Sequence, residues 1–371
     1  MKSLLRNAAV ACAAGLVGLL LGEGLLRVTT DATFLARPFT IIPGMAFDPV
    51  ASRVNRSGFQ SHSQVTFASV SDDGLRINAL GFHGPELVEP KPPGGVRIIC
   101  LGDSGTFGIW WELRPKDDKP VLTGFVNYPH ELAQLLRSRL PEVEVINAGV
   151  IGYSSSHGLR QFETQLRDFD PDIVTVRFGY NDHGRAWKPA ARADEPRSRI
   201  ARWLLYRLHR WRILQLGLAG YQQVPAFHPQ PNSVFWAPAE RFERNLRRFA
   251  EIARHRGFRL LFMDYPLRPA EWGESPTDAR IFRLSGAADG AELRSLHAQF
   301  QGVLRDVAQS EGVPLLESRA AFHVRMAERF TRGDLVHPNA AGARKLAQLL
   351  RDRLVELTWL PAPLPATGAA S

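Results

Sequence analysis

The stretch RIICLGDSGTFG, residues 97–108, decides how the chain is read. Ile98 to Leu101 form an apolar run that predicts a buried strand, and Gly102 to Gly105 close it with a tight turn. A Gly-Asp-Ser-Gly turn is ordinary punctuation in itself. It also puts Ser104 at the end of a strand, where a nucleophile would stand, and the rest of the chain has to choose between these readings.

Outward from this point the chain alternates strand and helix. The candidate strands are VRIICL (96–101), VEVINA (143–148), DIVTVRF (172–178), FRLLFMD (258–264) and VPLLE (313–317). Helical patterns lie between them. One is YPHELAQLLRSRL, with Pro129 suited to a first helical turn, and others start near Ser155, Ala239 and Ala291. The last runs from about Asn339 to Glu356. This alternation predicts an α/β domain with a parallel sheet covered by helices on both faces.

The 371 residues, 44% hydrophobic and 22% charged, are those of a globular chain. A net charge of +9 raises nucleic acid or anionic membrane as partners. No zinc-finger, basic-zipper or RNA-binding aromatic signature accompanies the charge, so nucleic acid is not expected. Cys12 and Cys100 sit in apolar runs and suggest no disulfide framework. The eleven histidines contain no metal-ligand spacing, and nothing asks for a metal or cofactor.

Residues 1–27 open with Lys2 and Arg6 and continue as an apolar run from Ala8 to Gly22. This is the pattern of a signal peptide or short membrane anchor. The lack of a small-x-small cleavage site after the leucines favours a retained anchor, a transmembrane helix. The positive charges ahead of the run place the remainder outside the cytoplasm. Residues 28–95 are turn-rich with short alternating pieces, a β-containing lead-in ending in the linker EPKPPGG. The main domain is expected over 96–358, and the Pro/Ala-rich tail at 359–371 is expected to be disordered.

Residues 184–238 interrupt the alternation. They carry Arg185, Lys188, Arg192 and further arginines against only Asp194 and Glu195, with Trp187, Trp203 and Trp211 interleaved. From Ile200 to Leu216 the apolar residues recur at roughly helical spacing. Such a basic insertion either covers the sheet as a solvated helix, lies on anionic lipid, or meets an acidic polymer.

Acyl transfer at a serine needs a nucleophile, a histidine base, a group holding that base, and donors for the oxyanion. GDSG offers Ser104, while a GxSxG elbow is absent because Thr106 follows two residues on. INAGVIGYSS, after the second strand, offers the Gly152 N–H. FGYNDH, after the third, offers the Asn181 amide. GDLVHPNAAG offers Asp334 and His337, spaced so that the carboxylate can hold one ring nitrogen and leave the other for the serine. Each block alone is a turn. Together, in this order and behind strands, they form a site at the sheet edge where α/β folds bind ligands.

These four blocks resemble the SGNH/GDSL family of serine hydrolases, over roughly residues 96–356. The resemblance implies a three-layer α/β/α fold with a parallel, five-stranded, flavodoxin-like sheet. It implies Ser104 as nucleophile, His337 as base and Asp334 as its partner. The Ser104 N–H, the Gly152 N–H and the Asn181 side chain would form the oxyanion hole. INALGFHGPE and the stretch AERFERNLRRFAEIARHRGFRLLFMDYP further resemble membrane-anchored bacterial members.

Two segments depart from the family pattern: the long loop IWWELRPKDDKPVLTGFVN after Ser104, and the insertion 184–238. Trp110 and Trp111 in the first either wall a pocket or simply pack. His183 reads as a loop histidine, and Asp182 and Asp103 as braces for their turns. The expected activity is hydrolysis of a carboxylic ester, with an acyl-ester small molecule or acylated glycan as substrate. The alternatives are acyl transfer to an envelope polysaccharide and a non-catalytic glycan-binding scaffold.

Overall fold

Successive side chains of a strand point to opposite faces, and in the strand at 96–102 both faces are apolar. Ile98 and Cys100 join one cluster of buried residues, and Ile99 and Leu101 join another. A strand buried on both sides belongs in the middle of a parallel sheet, and that is where it lies. The computed structural model describes residues 2–29, 45–46, 54–55, 77–113, 120–138, 140–183, 185–186, 211, 213, 234–235, 238–268, 287, 289–323, 330 and 335–360. Most of the insertion 184–238 and the tail beyond 360 lie outside these residues, as do the side chains of Trp110, Trp111 and Cys12.

The helices are α1 (Lys2–Thr29), α2 (Ser104–Phe107), α3 (Tyr128–Arg137), α4 (Ser155–Gln161), α5 (Ala239–Arg256), α6 (Gly290–Glu311), α7 (Arg319–His323) and α8 (Ala340–Glu356). The strands in chain order are β1 (Met45–Ala46), β2 (Val54–Asn55), β3 (Val96–Gly102), β4 (Ile109–Leu113), β5 (Pro120–Phe125) and β6 (Val143–Asn147). They continue as β7 (Ile173–Arg177), β8 (Arg185–Ala186), β9 (Val234–Phe235), β10 (Arg259–Met263) and β11 (Leu315–Leu316).

Five strands form the parallel sheet in the order β11-β10-β7-β3-β6. This is the flavodoxin-like order that the sequence blocks imply. The chain steps from β3 outward to β6, then returns across β3 to β7. The reversal opens a crevice at the carboxyl ends of β3 and β7, where such sheets place ligands. Leu132 and Leu136 of α3 and Leu346, Leu350 and Leu354 of α8 cover one face. Phe162, Phe242, Phe249 and Phe300 cover the other. At α3 the Asn127 side chain accepts the His130 N–H at 2.8 Å and Pro129 occupies the first turn.

The N-terminal residues do form a helix, and Val10, Leu16, Leu21 and Leu25 on it are exposed. It meets the rest of the chain at Glu23, whose buried carboxylate accepts from Arg27 at 2.7 Å and from the Ile213 N–H at 3.1 Å. Among the described residues no helix is long and apolar enough to cross a membrane.

Candidate active site

β3 delivers Gly102 and Asp103 to the crevice, and Asp103 caps the one-turn helix α2. An extended Asp with a free carboxylate is a favoured N-cap, and here its Oδ1 accepts the Gly105 N–H at 2.9 Å. Gly108, at φ 95°, closes the turn in the left-handed region that a side chain would resist. Helix starts leave N–H groups without intrahelical acceptors. Asp103 satisfies those of Gly105, Thr106 and Phe107. The Ser104 N–H has no partner among the described residues.

Ser104 is 9% exposed, and its hydroxyl lies 2.8 Å from His337 Nε2, across 233 positions of sequence. The histidine stands just before α8, whose N-cap Asn339 accepts the Gly342 N–H at 3.0 Å and fixes the chain's entry into the helix. Asp334 lies outside the described residues.

Asn181 follows β7. Its Nδ2 donates to Tyr153 O at 2.9 Å and to Asp103 Oδ2 at 3.3 Å. Gly152 is exposed in the turn after β6, at φ 78°, and its N–H has no partner among the described residues. The turn is closed by the Tyr153 N–H donating to Val150 O at 3.2 Å.

Asp182 is fully buried and takes three donors: the Ser155 N–H at 2.9 Å, the Ser155 hydroxyl at 2.5 Å and the Gly179 N–H at 3.0 Å. It ties the Asn181 loop to the start of α4. Burial still pushes its carboxyl up to about 7. His183 is also buried. A carbonyl can only accept, so His297 Nε2–H donates to Tyr265 O at 2.6 Å. That leaves His297 Nδ1 to accept from His183 Nε2 at 3.1 Å. Burial lowers the pKa of both rings, as suits a packed neutral pair rather than a catalytic base.

Two residues that sequence reading passed over belong to this region. The Tyr265 hydroxyl donates to Asp103 Oδ1 at 3.0 Å. Arg177, the last residue of β7, lies fully buried with its guanidinium 3.9 Å from the Tyr265 ring centre. A visible signal was a lone positive charge in the otherwise uncharged run IVTVRF. Burial raises the pKa of Asp103, and the Arg177 charge opposes that rise.

A serine hydroxyl bonded to an imidazole, with two N–H groups that have no partner among the described residues and a held amide nearby, can attack a carbonyl and hold the resulting oxyanion. The uncharacterized lipoprotein YqeF of Bacillus subtilis is 22% identical over 227 residues, 60% of this chain and 70% of its own. A lipase/acylhydrolase from Enterococcus faecalis superposes with a TM-score of 0.43 at 16% identity, over 71% of this chain and 96% of its own. A catalytic mutant of an acetylxylan esterase from Geobacillus stearothermophilus gives 0.42 at 17%, over 74% and 100%. Residues 100–345, well over half of the chain, match the model of the GDSL-like Lipase/Acylhydrolase family, and the chain belongs to that family.

Proposed function

We propose that the protein is a serine esterase or deacylase that cleaves carboxylic esters through an acyl-enzyme on Ser104. The observation that carries this reading is the 2.8 Å contact between Ser104 Oγ and His337 Nε2. Ser104 Oγ attacks the ester carbonyl while its proton passes to His337 Nε2. The negative charge on the tetrahedral oxygen is met by the Ser104 N–H, the Gly152 N–H and Asn181 Nδ2. Collapse expels the alcohol with the proton returned from His337. Water then repeats the sequence and releases the acid. Asp334 is assigned to the other ring nitrogen, where it would fix the tautomer the base requires.

The catalytic domain in this reading spans 96–358 and works outside the cytoplasm, held to a membrane by α1. Lys2 and Arg6 ahead of the apolar run, the exposed leucines of α1 and the lipoprotein name of the Bacillus relative support that placement. Acyl groups on an envelope glycan fit as substrates, given the basic insertion 184–238.

Full-length protein in detergent, assayed with p-nitrophenyl acetate beside Ser104→Ala, tests the reading. Turnover that vanishes in the variant supports an esterase. Acyl groups appearing on an added polysaccharide would make it a transferase, and equal inactivity of both proteins across acyl lengths would discard catalysis. Recovery of the protein in the soluble fraction after cell lysis would discard the membrane placement.

A further inference from the structure

We propose that Arg177 is a positioning residue for the reaction at Ser104: its buried charge keeps Asp103 a carboxylate, and that carboxylate holds Asn181 and the Ser104 turn in working geometry. The inference rests on the esterase reading and adds to it a residue that touches no substrate.

The placement is specific. In the sheet register Arg177 stands opposite Gly102, and Asp103 follows at once. A Cβ added to Gly105 would fall 2.6 Å from Arg177 Nη1, so the guanidinium lies directly against the nucleophile turn. On the other side, Asp264 follows β10. The charge is thus set between two buried carboxylates, one from each neighbouring strand.

Arg177 holds neither by hydrogen bonds. Nε, Nη1 and Nη2 are all buried and have no hydrogen-bond partner among the described residues. What remains is the charge itself, together with stacking on Tyr265. Asp264 already has the Ser318 N–H, the Ser318 hydroxyl and the Arg319 N–H. Asp103 likewise has three donors: Gly105 N–H, Tyr265 O–H and Asn181 Nδ2–H.

A carboxylate accepts freely at both oxygens, whereas a carboxylic acid turns an O–H of its own toward one of the donors. Burial favours the acid at Asp103, and the Arg177 charge opposes it. With the charge removed, Asp103 is drawn toward its neutral form, and its longest contact, 3.3 Å to Asn181, is the first to weaken. Asn181 then keeps Tyr153 O alone and swings. Substrate affinity, set elsewhere, changes little, and the step that forms the oxyanion slows.

The test compares full-length wild type, Arg177→Met, Arg177→Lys, Asp264→Asn and Ser104→Ala, by kcat and KM on p-nitrophenyl acetate and by melting temperature. Arg177→Met should lower kcat about 30-fold with KM within about two-fold, the pattern of a lost transition-state interaction. Arg177→Lys, which keeps charge and loses the fork, should stay within about three-fold of wild type. Asp264→Asn disturbs the other carboxylate and should lower the melting temperature while kcat stays within about two-fold.

Wild-type kcat in folded Arg177→Met, or an equal kcat loss in Asp264→Asn, would overturn the proposal. Should Arg177→Met fail to fold, Arg177→Lys decides: folded protein with more than about ten-fold loss of kcat means that the guanidinium, not its charge, matters. Equal turnover in wild type and Ser104→Ala would instead remove the esterase reading and the inference with it.

Discussion

Asn181 Nδ2 spans Tyr153 O at 2.9 Å and Asp103 Oδ2 at 3.3 Å, so a single amide joins the loops that follow β6, β3 and β7. These three loops come from adjacent strands, and the amide that joins them is the oxyanion donor in the proposed reaction. Asn181→Ala should reduce kcat roughly 100-fold with little change in KM, the usual scale for losing one oxyanion donor. Stability should fall by about 1 kcal/mol, for the two hydrogen bonds are partly exposed. Steady-state kinetics on the purified variant check this, and a fully active Asn181→Ala would move the oxyanion role elsewhere.

Much of this arrangement is legible in the chain because parallel strands are written as short apolar runs. VRIICL, VEVINA and FRLLFMD sit within a residue or two of β3, β6 and β10. Strand order adds what no run contains, since it depends on which edge each crossover reaches. The Ser104–His337 contact follows from that order, and the four blocks announce it before the distance is known. The roles of Arg177 and Tyr265 are harder to read for a different reason. Their importance lies in which neighbours face them, and a charge at a strand end looks like solvent exposure until both flanking strands cover it. Glu23 misleads in the opposite direction: it reads as an interruption of an apolar run, yet it is buried and bonded to Arg27 and Ile213.

The glycines around the nucleophile turn separate steric demand from mere occurrence. A Cβ on Gly149 would meet the backbone of Thr106 and Phe107 inside contact distance, and backbone cannot give way as a side chain can. Gly149→Ala should therefore lower stability by more than ~2 kcal/mol and disturb α2. Gly302 lies within α6 with nothing within 4 Å of a new Cβ. Gly302→Ala should raise stability by about 0.5–1 kcal/mol through helix propensity. Urea denaturation of the two variants measures both signs, and a neutral Gly149→Ala would mean that α2 has room to shift.

Asp182 offers a test of the loop that carries Asn181. Its carboxylate receives three donors, one of them the Gly179 N–H at Oδ2. In Asp182→Asn an NH2 group replaces one oxygen and opposes either that N–H or those of Ser155. The expected loss is about 2–3 kcal/mol of stability, the scale of an unsatisfied buried donor. A drop in kcat should accompany it, as the adjacent Asn181 loosens. Rotation of the amide cannot relieve this, because donors lie on both oxygens. Melting curves and kcat on the same preparation decide it, and an unchanged melting temperature would show that the cradle contributes little.

His83 sets an acid limit to stability. Its ring packs on Phe107 with centroids 4.7 Å apart, and Nδ1–H donates to Phe107 O at 2.7 Å. Burial lowers its pKa to about 4 in the folded chain, whereas an unfolded histidine titrates near ~6.5. Between these values the unfolded state binds a proton that the folded state refuses. The stability involved is thus complete above about pH 6.5 and is lost as pH falls toward 4. From pH 7 to 4.5 this group alone removes about 2–3 kcal/mol. Asp182, raised to about 7, acts with the opposite sign over part of the same window. It is present in both proteins of a comparison and cancels. His83→Gln carries no titrating ring, so its unfolding free energy should fall less than that of wild type between pH 7 and 4.5. Urea denaturation of both proteins at the two pH values gives that difference directly. Parallel losses in the two would mean that His83 takes up its proton inside the fold, and that another buried group sets the acid limit.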